Sequence, residues 1–306
     1  MVASVLDSGL LDKIITMADG FDGFFDRDRV RAEIDVLTAE FAQSGLACPT
    51  ALLTHTTVMR GLLVPLADSE LSCALSRLWA VTTYADDVAS HDRAEAEALL
   101  QAVMLADRPV RSPIVGALRH ATDELGRFCD PLFLAIHKSF VCRSAVGVLM
   151  EAEFTPTVSD EVDTEYVRAL TGFAEPWALS LQFVDPCLRV ATNWGFWVAA
   201  LSPMVTFING LNDVLSFYKE AIDGTDFQGS RVYRRAVREG VPYLDSYRET
   251  LDAGLAAHQQ ILRLATDEQR PHLDRYLTGY LHWHLRSPRY RLQDLRPSLT
   301  PIDPTR

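Results

Sequence analysis

Residues 196–218 read FWVAALSPMVTFINGLNDVLSFY, and this stretch decides the class of fold. It is too apolar for a helix on a protein surface, so it predicts a buried helix. Polar side chains nevertheless recur every four residues, at Asn212, Ser216 and, just beyond the quoted stretch, Glu220. Residues with this spacing share one face of an α-helix and rise by about 6 Å from one to the next. The sequence therefore predicts a row of three oxygen-bearing side chains on a buried helix.

The same helical spacing of apolar residues recurs along most of the chain, for example in residues 28–45, 69–89 and 243–265. Short stretches rich in Pro, Gly and Asp separate these segments, and none is long enough for an interdomain linker. We therefore expect an all-α fold with one helical domain over residues 1–292 and a Pro-rich C-terminal tail over residues 293–306.

Composition excludes several classes of function. The chain has 306 residues, a formal charge of −12 and a pI near 5.1. Such an acidic chain argues against the basic face that binds a phosphate backbone, so we expect no nucleic-acid partner. The N-terminus has no continuous apolar segment and no later stretch reaches about 18 uncharged apolar residues, so we expect a soluble, cytoplasmic protein without a membrane span. The five cysteines are widely spaced without a CxxC pair, which predicts neither a disulfide framework nor a zinc site.

The row of Asn212, Ser216 and Glu220 suits a hard cation. Mg²⁺ prefers oxygen ligands and is commonly held by a few protein groups together with substrate phosphates. Lys219, next to Glu220, could reach the same phosphate as a point charge. A solvated polar helix face is the alternative, and it is the commoner explanation of this spacing taken alone. The apolar sequence around the row favours the metal site.

Two further clusters have charges suited to the same chemistry. Asp86 and Asp87 end an apolar helix in TTYADDVASHD, where acids oppose the helix dipole unless a cation compensates them. Residues 282–292, HWHLRSPRYRL, contain side chains that suit phosphate binding, namely Arg286, Arg289, Arg291 and Tyr290. For the two aspartates a functional role is modestly favoured over a solvated helix end, whereas three arginines near a chain end are more often solvated. His282 and His284 face different ways on a helix, so we exclude them as a metal pair.

The three clusters together resemble the motifs of the class I terpene synthases, which are an aspartate-rich motif, an N/D-D-x-x-S/T-x-x-x-E motif and a C-terminal Arg-Tyr pair. NDVLSFYKE and WHLRSPRYRL are closer still to the trichodiene-synthase-like sesquiterpene cyclases. Arg168, in YVRALTGF, lies 44 residues before Asn212, where this family places an arginine that senses diphosphate. The resemblance covers most of the chain and implies an antiparallel helical bundle around a central apolar cavity.

The resemblance also implies a prenyl diphosphate substrate and three Mg²⁺ ions. Asp86 would bind two of the ions, and the third would be bound by Asn212, Ser216 and Glu220. The diphosphate would be held by Arg168, Lys219, Arg289 and Tyr290. By the same analogy Asp87 would pair with Arg289 when the site closes, and a homodimer is left open.

The chain departs from the family pattern at two places. The first motif usually reads D-D-x-x-D/E, whereas here Ser90 stands in the last acidic position, so either Asp92 substitutes for that acid or the position is dispensable. Pro288 precedes the Arg-Tyr pair and disfavours α-helical geometry at Ser287, which predicts a bend before Arg289.

A carbocation formed in such a site must be shielded from water by apolar and aromatic side chains. Trp79 lies seven residues before Asp86, on the same helix face, and is the first aromatic candidate, ahead of Trp177 and Trp283. The face of Asn212 adds further pocket candidates, which are Leu201, Val205, Ile208 and Asn209. Packing in the core is an equal alternative for each tryptophan, and Asn209 could orient a water molecule or bond within its helix.

These features predict an Mg²⁺-dependent cyclase that converts an acyclic prenyl diphosphate, with farnesyl diphosphate favoured, into a sesquiterpene hydrocarbon or alcohol. Cyclases of geranyl or geranylgeranyl diphosphate, a chain-elongating prenyltransferase and a noncatalytic helical scaffold are the alternatives. Prenyltransferases normally have two aspartate-rich motifs, and here the Asn/Ser/Glu row replaces the second. A class II cyclase is disfavoured because Tyr84 and Ala85 precede Asp86 and Asp87 where a D-x-D-D motif would require acid.

Overall fold

The computed structural model describes residues 9–89, 92–104, 112–153, 164–223 and 229–303. Its described residues form α-helices and short 3₁₀ turns and no strand, which confirms the all-α class. The α-helices in chain order are α1 (Leu10–Ala18), α2 (Arg27–Gln43), α3 (Thr50–Leu63), α4 (Ser69–Ala89), α5 (Arg93–Met104), α6 (Pro113–Leu125), α7 (Pro131–Glu153), α8 (Thr164–Leu170), α9 (Ala174–Leu179), α10 (Trp194–Asp223), α11 (Arg231–Glu239), α12 (Tyr243–Leu264) and α13 (Arg270–Arg286).

The chain divides by its internal contacts into two compact units. The N-terminal unit consists chiefly of Phe25–Thr155 and Leu170–Trp194, and the C-terminal unit consists of Met1–Phe24, Pro156–Ala169 and Gly195–Asp303. Each unit is described by itself below. The expectation of one helical domain over residues 1–292 with a tail over 293–306 stays a prediction.

A buried ion pair fixes the helices of the N-terminal unit. Arg60 Nη2 on α3 donates to Glu33 Oε2 on α2 at 2.6 Å, and both side chains are almost fully buried. Ser76 Oγ on α4 donates to the same oxygen at 2.6 Å, and Ser72 Oγ donates to Glu33 Oε1. The charges of Arg60 and Glu33 are therefore paired with each other, and both carboxylate oxygens accept hydrogen bonds, as burial in an apolar core requires. The network ties α4, the helix that bears Asp86, to α2 and α3.

The C-terminal unit is organised around α10, a helix of 30 residues. Its central apolar side chains, including Trp197, Phe207, Leu211 and Leu215, are completely buried, as the sequence predicts, whereas Trp194, Val198 and Ile222 nearer its ends are exposed. Gly254 on α12 allows a close approach, because a Cβ atom there would lie 2.7 Å from Leu211 Cδ2. Such close packing fixes the rotation of α10, and with it the direction of its polar face.

Within the described part of the chain, two helices are long and apolar enough to cross a membrane by length and composition, Pro131–Glu151 within α7 and the whole of α10. The core helix of a soluble protein passes the same test, and 61% of the apolar window of α10 is buried inside the protein. These helices are therefore weak indications of a membrane span.

His137 on α7 is a buried polar group of the N-terminal unit that the sequence analysis did not use. It is completely buried, beside the ring of Phe133 at 5.7 Å, and neither ring nitrogen has a hydrogen-bond partner among the described residues. Burial, and secondarily the charge of Lys138, lower the pKa of His137 to about 4. The unfolded chain, with an ordinary histidine pKa, thus binds a proton first as the pH falls, and stability is lost between about pH 6.5 and pH 4.

We predict that His137→Phe removes this acid sensitivity. Between pH 7 and pH 5 the wild type should lose about 2 kcal/mol more free energy of unfolding than the variant, because only the wild type must keep an imidazole neutral. Urea unfolding of both proteins at the two pH values measures the difference. His137→Gln, which is polar but does not titrate, should match the phenylalanine variant in its pH dependence. Equal acid losses in all three proteins would contradict the prediction.

Candidate functional site

The polar row predicted from the sequence lies on α10 in the C-terminal unit. Ser216 and Glu220 are buried and Asn212 is half-buried. Glu220 Oε2 is a buried atom without a hydrogen-bond partner among the described residues, and Ser216 Oγ has none there besides a weak side-chain interaction with Glu220. Unpartnered buried oxygens are rare in native proteins, and a bound cation is one of the groups that satisfies them. The row therefore has the donor chemistry that a magnesium ion requires.

The electrostatics of Glu220 indicate a need for positive charge at the row. Burial, and next the like charge of Asp213, raise the pKa of Glu220 to about 7. Ser216, Lys219 and Arg168 act in the opposite direction and only partly compensate. Lys219 is half-buried and immediately precedes Glu220 on the same helix. A divalent cation beside Glu220 would favour its ionised form.

Arg168 on α8 contacts the row through Asn212. Its Nε donates to Asp213 Oδ2 at 3.2 Å and its Nη2 donates to Asp213 Oδ1 at 2.7 Å, which makes a bidentate ion pair. Nη2 also lies 3.3 Å from Asn212 Oδ1, which it donates to. The side chain of Asn209 donates from Nδ2 to the carbonyl oxygen of Arg168 at 2.7 Å, so Asn209 fixes α8 rather than bonding within its own helix.

Asp213 is a site residue to which sequence analysis gave no role. Its side chain is 3% exposed and accepts from Arg168 and, at 2.8 Å, from the backbone N–H of Arg231 at the start of α11. The sequence could have indicated it, because Asp213 occupies the second position of the N/D-D-x-x-S/T-x-x-x-E motif. Because Asp213 lies one residue away from the row, helical periodicity places it on a different face, and only the position of α8 makes it a partner of Arg168.

The Arg-Tyr pair follows α13 in a 3₁₀ turn, Pro288–Tyr290. Ser287 has φ −77° and ψ 129°, the extended geometry that Pro288 was expected to impose. Ser287 Oγ accepts from the backbone N–H of Arg289 at 3.3 Å and caps the turn. Arg289 is half-buried, whereas Tyr290 is buried.

His284 connects this turn to the row, which the sequence analysis did not foresee. Its ring is completely buried and stacks on the ring of Tyr290, with centroids 4.4 Å apart and planes 27° apart. Its Nδ1 lies 2.9 Å from the carbonyl oxygen of Tyr280, and its Nε2 lies 3.3 Å from Asn212 Nδ2. Burial lowers the pKa of His284 to about 3, with the hydrogen bond to Tyr280 acting against the shift and Arg289 adding to it. The ring is therefore neutral.

The remaining candidates belong to the N-terminal unit or to the faces of α10. Asp86 is half-buried and Asp87 is exposed in the last turn of α4. Asp92 Oδ1 accepts from the backbone N–H of Ala94 at 2.9 Å, so in this structure Asp92 caps α5. Ser90 lies outside the described residues.

Trp79 is completely buried, where its Nε1 donates to Ser180 Oγ at 3.2 Å. Its ring stacks on Trp177 at 5.5 Å, and Trp177 is half-buried. This is the geometry of the core-packing alternative, and a place for Trp79 in a substrate pocket stays a prediction. Leu201 and Val205 are half-buried and Ile208 is buried.

Comparison with known proteins gives one family match, between residues 188–299 and the trichodiene synthase (TRI5) family. Among relatives, terpene synthase 29 of Postia placenta is 31% identical over 100 residues, which are 32% of this chain and 29% of that protein. Alpha-cuprenene synthase COP6 of Coprinopsis cinerea is 23% identical over 233 residues, covering 74% of this chain and 69% of that protein. The chain thus spans under a third of the first relative and about two thirds of the second.

Among solved structures, linalool/nerolidol synthase from Streptomyces clavuligerus superposes with a TM-score of 0.68 at 14% identity, over 83% of this chain and 94% of that chain. At this identity the likeness concerns the fold alone.

We predict that Asp213→Asn destabilises the free protein by about 3 kcal/mol, because it removes the charge that Arg168 needs as a partner in a mostly buried position. Thermal and urea unfolding without ligands measure the loss. Asp223→Asn, on the same helix, is the matched control, since Asp223 pairs with Arg291 at 3.4 Å in an exposed position and should change stability by about 1 kcal/mol or less. Equal small losses in both variants would show that the ion pair is not structural.

Proposed function

We propose that this protein, which has the fold of the class I terpene synthases and resembles the trichodiene synthases in sequence, is an Mg²⁺-dependent terpene cyclase. Its substrate is an acyclic prenyl diphosphate, with farnesyl diphosphate favoured, and its product is a sesquiterpene hydrocarbon or alcohol. The observation that supports this most directly is the buried oxygen row of α10, where Glu220 Oε2 has no hydrogen-bond partner among the described residues and Arg168 lies alongside. The protein would act in the cytoplasm without a nucleic-acid partner.

The donor set of the row fits a magnesium ion, since an amide oxygen, a hydroxyl and a carboxylate are hard oxygen ligands. Asn212, Ser216 and Glu220 would hold one ion, and Asp86 would hold the other two of three. When bound, Mg²⁺ supplies positive charge against the negative charge that grows on a departing diphosphate.

The reaction requires no nucleophile from the protein. The carbon–oxygen bond of the allylic diphosphate breaks with its electron pair on oxygen, and the alkenes of the substrate attack the resulting cation to form carbon–carbon bonds. Loss of a proton or addition of water ends the sequence. Arg168, Lys219, Arg289 and Tyr290 would bind the diphosphate, and their cations and hydroxyl stabilise the leaving group electrostatically.

An apolar wall is the second requirement, because water would intercept the cation. Leu201 and Val205 are half-buried apolar side chains on the Asn212 face of α10, about two turns and one turn before Ile208, respectively. The backbone at Ile208 is held against α13, because the carbonyl oxygen of Ile208 accepts a hydrogen bond from the hydroxyl of Tyr280 at 2.9 Å. We assign Leu201, Val205 and Ile208 to the wall next to the metal row.

A chain-elongating prenyltransferase is the alternative enzyme, and a noncatalytic scaffold is the alternative of a different class. The neutral Asn212 and Ser216 at the second metal motif favour the cyclase over the prenyltransferase. Pyrophosphate with Mg²⁺ should raise the melting temperature of the enzyme and leave that of a scaffold unchanged.

We predict that the purified protein converts farnesyl diphosphate in the presence of Mg²⁺ to cyclic products that gas chromatography and mass spectrometry detect. Geranyl and geranylgeranyl diphosphate are tested in parallel, with isopentenyl diphosphate added in one arm to reveal elongation. Asp86→Ala and Glu220→Ala should each lower turnover at least about 100-fold, because each removes a carboxylate ligand. Asp252→Ala, an exposed acid paired with Lys13 at 3.7 Å, is the control. Full cyclisation in excess chelator would overturn the proposal.

We predict that Arg289→Lys slows turnover about 10- to 100-fold, because lysine keeps the charge but loses the planar pair of donors for the diphosphate. It should also increase early-terminated products, since a poorly held leaving group leaves the site less well closed against water. Product distribution and turnover are measured together with farnesyl diphosphate. The wild-type product mixture at the wild-type rate would count against a role for Arg289.

A further inference from the structure

His284 is placed where it can determine which end of the Asn212 side chain serves as a ligand. The imidazole is completely buried on α13, edge-on to Trp283 at 4.4 Å and stacked on Tyr290 at 4.4 Å. Packing from both sides leaves the ring little freedom to rotate. Its two nitrogens therefore have fixed directions, one towards the carbonyl oxygen of Tyr280 and one towards Asn212.

The hydrogen bond to Tyr280 determines the tautomer of His284. A carbonyl oxygen can only accept, so Nδ1, at 2.9 Å from it, must bear the proton. A ring that bears its proton at Nδ1 alone has a lone pair on Nε2, which can only accept. Its partner at 3.3 Å must be a donor, which identifies the group of Asn212 that faces His284 as the NH₂ and not the oxygen.

The opposite side of the amide leads to the same orientation independently. Arg168 has donors only, and its Nη2 lies 3.3 Å from the atom of Asn212 that faces away from His284. That atom is therefore the carbonyl oxygen Oδ1. Two partners, His284 Nε2 as an acceptor and Arg168 Nη2 as a donor, thus favour a single orientation of the amide.

We propose that His284 is a positioning residue that presents the Asn212 carbonyl oxygen to the cation of the Asn212–Ser216–Glu220 row. The inference rests on the proposed function, because it gives the oriented oxygen a ligand to bind. An amide rotated by 180° would offer an NH₂ group, which cannot ligate Mg²⁺ and repels it. A partner behind a ligand commonly changes metal affinity about 10- to 100-fold when it is removed.

The first experiment measures Mg²⁺ binding without turnover. Melting temperature is followed against Mg²⁺ concentration at a fixed concentration of inorganic pyrophosphate, and the Mg²⁺ concentration at half-maximal stabilisation is compared. His284→Phe keeps an aromatic ring for Trp283 and Tyr290 but has no acceptor, and it should raise this concentration about 10- to 100-fold. His282→Phe is the matched control on another face of α13, where His282 packs against Phe21 at 5.0 Å, and it should leave the concentration unchanged.

A double-variant cycle separates orientation from general packing. Asn212→Asp replaces the amide with a carboxylate, which presents an oxygen in either orientation. If His284 acts through orientation, His284→Phe should change the half-maximal Mg²⁺ concentration less than about twofold in the Asn212→Asp background, against the larger change in the wild type. The same change in both backgrounds would overturn the proposal and leave His284 with a packing role.

The tautomer is tested in the wild-type protein, so that a folding defect in His284→Phe cannot decide the outcome. Long-range ¹H–¹⁵N spectra of ¹⁵N-histidine-labelled protein, with His284 assigned from the missing signal in His284→Gln, distinguish protonation at Nδ1 from protonation at Nε2. Protonation at Nδ1 near neutral pH is expected, and protonation at Nε2 would overturn the proposal. Failure of the proposed function has a different signature, because the wild type itself would then show no stabilisation by Mg²⁺ and pyrophosphate.

Discussion

The burial of a polar row on an otherwise apolar helix is the constraint on which the rest of the C-terminal unit depends. The apolar face of α10 is held by packing as close as that between Gly254 and Leu211. Buried polar atoms normally find hydrogen-bond partners, because an unpaired one costs about 1–3 kcal/mol. Among the described residues Glu220 Oε2 is an exception, and Ser216 Oγ has only a weak interaction with Glu220; a helix this well packed cannot rotate to expose them. Such a cost is typical of a site that retains its polar atoms for binding.

Near this row Arg168 pairs with one of two buried acids, and a bound cation would balance the charge of the other. Asp213 and Glu220 are two buried acids on α10, and their mutual repulsion adds to the effect of burial on Glu220. Arg168 neutralises Asp213 directly through two hydrogen bonds, whereas its effect on Glu220 is smaller. In the free protein Asp213 is thus paired with Arg168, whereas the charge of Glu220 is only partly compensated. An anionic diphosphate would compete with Asp213 for Arg168, so binding of such an anion would weaken the local ion pair.

The N-terminal unit shows the opposite use of buried charge. Glu33 and Arg60 are joined at 2.6 Å and completed by Ser72 and Ser76, so the network has no unmet acid and offers nothing to a ligand. Such a closed network is structural, and breaking one partner of it would be strongly destabilising. Glu33 and Glu220 are both buried, but only Glu33 has partners for both oxygens. Hydrogen bonding therefore distinguishes a structural ion pair from a candidate binding site more clearly than burial does.

The sequence by itself determined the all-α class, the burial of α10 and the spacing of Asn212, Ser216 and Glu220, because hydrophobic periodicity and helix geometry are local properties. It also predicted the extended geometry at Ser287, since a proline restricts the residue before it. The proximity of Arg168 came from a family resemblance, and its pairing with Asp213 depends on the packing of α8 against α10.

His284 was excluded as a metal ligand because His282 faces elsewhere, and that reasoning is local too. Only the tertiary structure brings the His284 ring, held by Tyr280 and Tyr290, to the amide of Asn212, because contacts between residues 72 positions apart in the chain are decided by how helices pack and not by the spacing within any one of them.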